Sequence, residues 1–251
     1  ESLFSEDNIP VRVPLKVWSV GEEIVYNVYW GYIFLGTLKF TTIQKMQYNG
    51  RNVYYVKLNV DSNPSLFFVN MHDNYHSYID EKGFFSHRFI NRSKEGEWYK
   101  HNDYYFDYQN NNVKFKSVIF KDPPESLQIE SAITEPSQDG MSIFFYARGN
   151  ISRAEIVDVP TYYGGKKGNS RINFTGIKDS LYVEAIKDTV RCVRLSGRLG
   201  FVGIAGITGD YVGWISDDEY AIPILAESEV FAGKVIVELK SWYKPGMKTK
   251  K

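Results

Sequence analysis

The sequence predicts an all-β protein, mainly antiparallel, in which one large curved sheet or open half-barrel carries one or two short helices. Tyr, Phe and Trp make up 16% of the 251 residues. They fall mainly in short runs where apolar and polar residues alternate, the pattern of a half-buried strand. The dipeptide Asn49-Gly50 separates two such runs, and it readily takes the positive φ angles of a tight hairpin. Strand periodicity and turn chemistry therefore indicate the same fold class.

The first half of the chain alternates in seven segments. In the first of them Ile24, Tyr26 and Val28 mark one face of a strand, which ends at Gly31. The same reasoning predicts strands at 22–30, 33–46, 51–60, 74–80, 84–91, 98–108 and 113–120. The later turns fall at 81–83, 94–96 and 109–112, where glycine or asparagine accumulates.

The second half alternates in eight segments. Strands are predicted at 127–134, 154–159, 170–175, 181–186, 189–197, 211–216, 222–229 and 234–242. In the last segment Val235, Val237 and Leu239 should face inward, because side chains of a strand alternate between its two faces.

Two places interrupt the strand pattern. Residues 64–70 are predicted to form a single helical turn, and residues 137–148 a short helix that begins Ser-Gln-Asp, which suits a helix start. In the second helix Met141, Phe144 and Phe145 recur at helical spacing and should pack on the sheet.

The chain is predicted to form one β-rich domain. No linker rich in Pro, Gly or Ser divides it, so we expect an extended N-terminal segment at 1–20, a single domain at 21–243 and a basic disordered tail at 244–251. The tail contains Lys244, Lys248, Lys250 and Lys251.

Composition excludes several classes of function. The 30 basic and 30 acidic residues balance, so the chain lacks the basic surplus of a nucleic-acid-binding protein. No uncharged apolar run approaches the roughly 18 residues of a membrane helix. The single cysteine, Cys192, allows no internal disulfide. Walker, dinucleotide, nucleophile-elbow and His-Glu-x-x-His motifs are missing from the sequence, and we expect a monomer without a cofactor.

Two polar groups are candidates for chemistry, each with a simpler structural explanation. His72 and His76 lie four residues apart, near Asp73 and Asp80, but this spacing matches no defined zinc pattern and strand-edge polarity is favoured. Acidic residues at 217–219 invite comparison with glycosidase carboxylate pairs. A turn is favoured there, with ligand contact or catalysis as alternatives.

A glycine-rich apolar segment is the main candidate for a contact surface. Glycine occupies every third position from Gly197 to Gly209, and the segment is uncharged from Gly200 onward. It could be an irregular connection, which is favoured, or a lid or contact surface. The residues we assign tentatively to ligand or partner contact are Phe201, Val202, Ile204, Ile207, Trp214, Asp217 and Asp218. Exposed Tyr in the runs 104–106 and 162–163 would instead suggest a sugar-stacking platform.

An ordered set of short motifs resembles the bacterial DUF3108 family. It comprises Gly21-Glu22-Glu23-Ile24-Val25-Tyr26, Trp30-Gly31 and Gly36, Tyr78-Ile79-Asp80, Gln138-Asp139-Gly140-Met141-Ser142 with Tyr146 and Arg148, and Trp214-Ile215-Ser216-Asp217-Asp218 followed by Pro223, Gly233 and Leu239. The resemblance implies a sheet-rich fold and precursors exported with a signal peptide in many bacteria, but no established activity or site. The family often has a basic residue where this chain has Ala221.

The resemblance implies a periplasmic or outer-membrane-associated location, and together with the missing catalytic motifs it predicts a non-catalytic protein that binds a lipid-like or other hydrophobic ligand or an envelope partner. By analogy of fold alone, the sheet is similar to the open half-barrels of lipoprotein carriers, which hold acyl chains, and such analogy does not establish function. The alternatives are a cell-surface carbohydrate-binding protein and, less favoured, a carboxylate-based hydrolase.

Overall fold

All strands of the structure belong to one antiparallel sheet. The computed structural model describes residues 16–66, 70–95, 97–201, 203–204, 208–230 and 233–246. The strands are β1 (Glu23–Trp30), β2 (Ile33–Tyr48), β3 (Arg51–Ser62), β4 (His72–Asp80), β5 (Ser86–Glu95), β6 (Trp98–Asp107), β7 (Asn112–Phe120), β8 (Glu125–Ala132), β9 (Ile156–Tyr163), β10 (Lys166–Val183), β11 (Asp188–Leu199), β12 (Gly209–Ser216), β13 (Pro223–Val230) and β14 (Gly233–Tyr243), with the helix α1 (Ser142–Asn150) between β8 and β9.

The sheet joins its first and last strands at its centre. Its order is β8-β7-β6-β5-β4-β3-β2-β1-β14-β13-β12-β11-β10-β9, so β1 pairs with both β2 and β14. The edges are β8 and β9, and within the described ranges no ladder joins these two strands. The predicted fold class, a large open antiparallel sheet with little helix, is confirmed.

Local sequence explains the strands and their turns. In β1 the residues Ile24, Tyr26 and Val28 are buried and their neighbours are half-exposed, as the alternation predicts. Asn49 and Gly50 take φ angles of 48° and 75° in the turn between β2 and β3, which confirms the predicted hairpin.

The prediction of two separate strands at 170–175 and 181–186 was wrong. Residues 170–175 and 181–183 belong to the single strand β10, which pairs with β11 on both sides of an irregularity between Phe174 and Lys178. Residues 184–186 lie in the turn that follows β10. Gly176 lies in this irregularity with a φ of 67°. A bulge of this kind adds residues to one strand without ending the ladder, so the Thr-Gly-Ile-Lys sequence bends the strand instead of terminating it.

The helix begins later than predicted. Before it, the Gln138 N–H donates to the Pro160 carbonyl at 2.7 Å, and the Gln138 carbonyl accepts from the Tyr162 N–H at 2.8 Å. Gln138 therefore pairs with β9 in a single parallel bridge opposite Thr161. Asp139 then stabilises the turn that leads into the helix: its Oδ1 accepts from the N–H groups of Met141 at 2.6 Å and Ser142 at 2.7 Å. The other predicted helical turn begins as a turn in which Asn63 Oδ1 accepts from the Ser65 N–H at 3.0 Å, and 67–69 lie outside the described residues.

The segments predicted to lie outside the domain, 1–20 and 244–251, both contain residues that pack on it. Val17 is fully buried, and the Trp18 ring stacks on Tyr54 at 4.4 Å and on Phe145 of the helix at 4.8 Å. The Lys244 ammonium lies 4.9 Å from the centre of the Tyr220 ring and donates to the Lys16 carbonyl. Residues 17–18 and 244 are therefore part of the packed structure, although the sequence suggested an extended segment and a tail.

A buried ion pair fixes one end of the sheet. Arg148 of the helix is 0% exposed and Glu22 is 1% exposed. The guanidinium donates to both Glu22 oxygens at 2.9 and 3.2 Å. It also donates to the carbonyls of Ala221 at 3.1 Å, Tyr220 at 3.1 Å and Val17 at 3.3 Å. One side chain thus ties the helix, the N-terminal segment and the turn after β12 together.

Candidate ligand-binding cavity

An apolar cavity of about 240 Å³ lies inside the sheet, between the helix and the strands of its centre and C-terminal half. The helix contributes Ile143, Phe144 and Ala147, while Tyr26 and Phe40 line it from β1 and β2. The Phe144 and Phe40 rings stack at 4.5 Å, which holds the helix against one side of the cavity.

Small residues in register leave this space open. Leu195 of β11, Gly213 of β12, Ala226 of β13 and Val237 of β14 lie directly opposite one another across four strands, and all four line the cavity. Directly opposed residues point to the same face of an antiparallel sheet. The row therefore has glycine and alanine at its middle, where larger side chains would fill the interior.

The other half of the interior is filled by aromatic rings. Phe89, Tyr104 and Phe106 are at most 2% exposed. The Tyr104 ring lies 5.7 Å from Phe89 and 4.6 Å from Phe115, and Phe106 packs edge-on against Tyr162 at 5.8 Å. These residues include most of the Tyr-rich runs in which we looked for a sugar platform. Their burial shows that the runs serve the core.

Apart from Glu227, which pairs with Lys234 at 2.7 Å, the polar side chains of the cavity lining include neutral hydroxyls that already have hydrogen-bond partners. The Tyr26 hydroxyl donates to the Pro223 carbonyl at 3.0 Å, and Ser228 Oγ donates to the Thr208 carbonyl at 3.1 Å. The Tyr211 hydroxyl donates to the Arg171 carbonyl at 3.4 Å. Burial raises the pKa of Tyr26 and Tyr211 above the usual range, so both phenols stay protonated. A mainly apolar lining with satisfied hydroxyls favours hydrocarbon over ions.

The glycine-rich segment after β11 lies at the cavity. Phe201 and Ile204 line it, and the Phe201 ring lies 5.5 Å from the Tyr163 ring. A Cβ atom built on Gly140 would lie 3.1 Å from Tyr163 and 3.4 Å from Ile204, so the segment packs onto the chain just before the helix. Val202 and Ile207, assigned to contact from sequence, lie outside the described residues.

Trp214 borders the cavity, but its indole is engaged elsewhere. The indole N–H donates to Asp179 Oδ2 at 2.7 Å. The residue opposite Trp214 is Arg194, which pairs with the same carboxylate at 3.6 Å. Because opposed residues share a face, the indole lies on the face of Arg194, while the cavity-lining residues Gly213 and Ile215 beside it point to the other face.

The acidic residues after β12 form a turn away from the cavity. Asp218 Oδ1 accepts from Ser216 Oγ at 2.9 Å and from the N–H groups of Tyr220 at 2.9 Å and Ala221 at 3.1 Å. Asp217 pairs with Lys178 at 2.8 Å, and Glu219 pairs with Lys16 at 2.5 Å. None of these acidic side chains is among the cavity-lining residues, so the structure does not bring Asp217 and Asp218 together with Phe201 and Ile204.

The histidine pair does not assemble a metal site. His72 Nδ1 lies 2.9 Å from Asp61 Oδ1, and His76 Nδ1 lies 2.7 Å from the Tyr55 hydroxyl. Burial, together with the neighbouring cations Arg92 and Lys57, lowers the pKa of His76 to about 4. Across the described ranges, no three side chains of His, Cys, Asp or Glu are grouped so that they could hold a metal ion.

In the part of the chain that the structure describes, no helix has the length and apolar character needed to cross a membrane.

Comparison with known proteins identifies a family and a fold. The family model described as "Protein of unknown function (DUF3108)" matches residues 25–240, which confirms the resemblance seen in the sequence. A β-barrel-like protein of the DUF1849 family from Brucella abortus is 11% identical, and the alignment covers 91% of this chain and 99% of that chain with a TM-score of 0.57. At this identity the likeness concerns the fold alone.

Two further solved structures are more distant. A protein from Bacteroides fragilis NCTC 9343, provisionally described as an exported protein with a YmcC-like fold, is 8% identical, with 89% of this chain and 96% of that chain covered and a TM-score of 0.39. A protein from Parabacteroides distasonis ATCC 8503, provisionally described as a lipoprotein, is 10% identical, with 92% and 98% covered and a TM-score of 0.37. Comparison with curated proteins gave no significant match.

Proposed function

The chain belongs to the DUF3108 family of proteins of unknown function, and on this premise we propose that it is a non-catalytic protein of the bacterial cell envelope that binds a lipid-like ligand inside its sheet. The observation that carries the proposal is the mainly apolar cavity of about 240 Å³. The envelope location is supported by the exported precursors that resemblance to the family implies.

The cavity volume suits a hydrocarbon segment. Apolar cavities of roughly 150 Å³ already take up benzene-sized molecules, whereas sites that enclose a whole drug-sized ligand span about 300–1,000 Å³. A cavity between these sizes holds part of a ligand, such as a length of acyl chain. Each buried methylene contributes about 0.8 kcal/mol, so about eight would supply on the order of 6 kcal/mol before the cost of association.

Other features support binding without catalysis. The carboxylates at 217–219 are used by ion pairs and backbone bonds of a turn. Among the described residues that line the cavity, Glu227 is the only acidic or basic one. Its carboxylate pairs with Lys234 at 2.7 Å, so the lining offers hydroxyl groups but no second acidic or basic side chain to act as its acid–base partner. General acid–base catalysis needs a titratable group within reach of the substrate.

The proposal is tested by filling the cavity. A Cβ atom on Gly213 would lie 3.5 Å from the Leu195 side chain, an ordinary contact distance, so Gly213→Leu should fold and occupy the space. The matched control is Val212→Leu, the neighbouring residue, whose partner Glu227 lies opposite it in the adjacent strand. Both are compared with wild type by native mass spectrometry after gentle purification and by titration with a fluorescent fatty acid.

We expect wild type and Val212→Leu to bind and Gly213→Leu to lose binding while keeping the same circular dichroism spectrum. A wild-type protein that carries no extractable lipid and binds no fatty acid would refute the proposal. Equal binding by Gly213→Leu and Val212→Leu would place the ligand outside this cavity.

One observation favours carbohydrate binding as a second candidate. Tyr99 and Phe120 lie directly opposite each other in β6 and β7 and are 69% and 56% exposed. Two adjacent exposed rings provide a stacking surface for a sugar. A glycan array screened with wild type and a Tyr99→Ala/Phe120→Ala variant decides this candidate: a glycan bound by wild type alone supports it, and the absence of any bound glycan rejects it.

A further inference from the structure

The two edge strands of the sheet are protected to different degrees. On β9 the Pro160 carbonyl and the Tyr162 N–H are already bonded to Gln138, and proline has no N–H to offer a further strand. On β8 the side chains of residues 125–128 are exposed, and within the described ranges this strand pairs only with β7. An uncovered edge presents backbone N–H and C=O groups with which another chain can pair. The edge at which a further strand can add is therefore β8.

The hydrogen bonds of β8 show which of its backbone groups point outward. The Ile133 N–H donates to the Asn111 carbonyl at 3.0 Å, which makes these two residues a hydrogen-bonded pair. Such pairs alternate along an antiparallel ladder, so every second residue of β8 points its N–H and C=O groups away from β7. The Ala132 carbonyl agrees with this direction, because it accepts from the Tyr162 hydroxyl of β9 at 3.2 Å. The residues with outward groups are Ser126, Gln128, Glu130 and Ala132. In the part of the chain that the structure describes, the outward groups of the first three have no partner.

A second copy of the chain matches this edge when a two-fold axis passes through Gln128. Leu127 then lies opposite the partner's Ile129. Ser126 lies opposite the partner's Glu130. The outward groups of both strands meet in this arrangement and can form a regular antiparallel ladder. Leu127 is 52% exposed in the single chain, so the pairing also covers an apolar side chain.

The side chains of β8 favour this register over its neighbours. An axis at Leu127 would place Glu125 opposite the partner's Ile129, and an axis at Ile129 would place Leu127 opposite the partner's Ser131. Apolar pairs across two strands are stabilising, and like charges directly opposite each other are destabilising. The axis at Gln128 gives both apolar residues an apolar partner and places both glutamates of β8 opposite serines.

We propose that two copies of this chain join through β8 in an antiparallel pair centred on Gln128, so that their sheets become continuous. The inference goes beyond the proposed function and does not depend on what the cavity binds. A single strand covers little surface, so the dimer should form reversibly as the protein concentration rises. The monomer expected from the sequence is then the form present at low concentration.

Cysteine cross-linking tests the register. Residues of a hydrogen-bonded pair have Cα atoms about 5.5 Å apart, within the range of a disulfide, so Gln128→Cys should cross-link to its own copy under mild oxidation. The control is Ser126→Cys, which lies on the same edge but faces the partner's Glu130. The native Cys192 is buried and should stay out of the reaction. Non-reducing gels should show covalent dimer from Gln128→Cys and little from Ser126→Cys.

Charge substitutions test the strength of the pairing. Ser126→Glu places like charges opposite each other at two symmetric positions, and Ser126→Lys places opposite charges there. Both are compared with wild type and with Ser180→Glu, which adds the same charge to an exposed serine of β10, by analytical ultracentrifugation over a range of protein concentrations. Ser126→Glu should weaken dimer formation about 2- to 30-fold, while Ser126→Lys should strengthen it and Ser180→Glu leave it unchanged. Circular dichroism checks that each variant is folded.

The outcomes decide this inference separately from the proposed function. A wild-type protein that stays monomeric at its highest soluble concentration overturns the inference and leaves the proposed function standing. Equal cross-linking of Gln128→Cys and Ser126→Cys also overturns it, since the contact would then have another register. A dimer that Ser126→Glu and Ser126→Lys change alike, or that Ser180→Glu weakens as much, would mean that β8 is not the interface.

Discussion

Replacing Arg148 with Met removes the cation of the buried ion pair and leaves the Glu22 carboxylate inside the protein. In wild type both Glu22 oxygens accept from Arg148. Without it, the carboxylate keeps the Trp242 indole N–H at 3.3 Å and the Lys244 ammonium at 4.0 Å. Breaking a buried pair by removing one partner costs about 3–5 kcal/mol, because the remaining charge is uncompensated.

This loss is large enough to measure by denaturation. For a chain of this size, 1 kcal/mol corresponds to roughly 2–4 °C, so Arg148→Met should melt about 6–20 °C below wild type. The assay is urea and thermal unfolding followed by circular dichroism. Arg171→Met is the control, since it breaks an ion pair whose side chains are 62% and 49% exposed and exposed pairs contribute little.

A double variant tests the cause. Glu22→Gln in the background of Arg148→Met removes the stranded charge, so the double variant should be more stable than Arg148→Met alone. The reasoning is refuted if Arg148→Met unfolds like Arg171→Met, or if the second substitution destabilises the protein further. Either result would mean that packing of the side chain, and not an uncompensated carboxylate, decides stability at this end of the sheet.

Two further predictions concern titration. Burial opposes ionisation of Asp80, but hydrogen bonds from His87, Arg51 and the Gly83 N–H hold its pKa at about 2. The resulting stability, on the order of 2 kcal/mol, is present above the unfolded pKa of about 4 and is lost as pH falls towards 2. Asp80→Asn should flatten this part of a stability–pH curve measured by urea unfolding, and an unchanged slope would contradict the assignment. Burial, helped by nearby Asp179, raises the pKa of Cys192 to about 11, so its thiol should react with iodoacetamide at pH 8 only after denaturation. Rapid labelling of the folded protein would contradict the burial.

The sequence predicts the strands well because each signal is local. Alternation marks the inward face of β1, and Asn49-Gly50 specifies the hairpin of β2 and β3 through the φ angles that these two residues tolerate. The helix starts later than predicted because Gln138 pairs with β9 and the Asp139 side chain accepts two backbone N–H groups in the turn before the helix. The aspartate is visible in the sequence, but it marks this turn and not the first helical residue.

The cavity could not be predicted because it depends on register between distant strands. Gly213 and Ala226 leave space only because they lie opposite each other, and alternation shows which face a side chain takes but not what faces it. Trp214 could have been placed from alternation, since Gly213 and Ile215 beside it point inward. The pair of Glu22 and Arg148 is 126 residues apart, and no local pattern links them.

The pairing of β1 with β14 has a consequence for biogenesis. Tyr26 on the first strand and Val237 on the last both line the cavity, and these two strands are neighbours in the sheet. The wall of the cavity is therefore complete only when β14 has paired with β1. Such a contact between distant parts of the chain forms slowly, so we expect a ligand of the kind proposed above to be enclosed only after these two strands have paired.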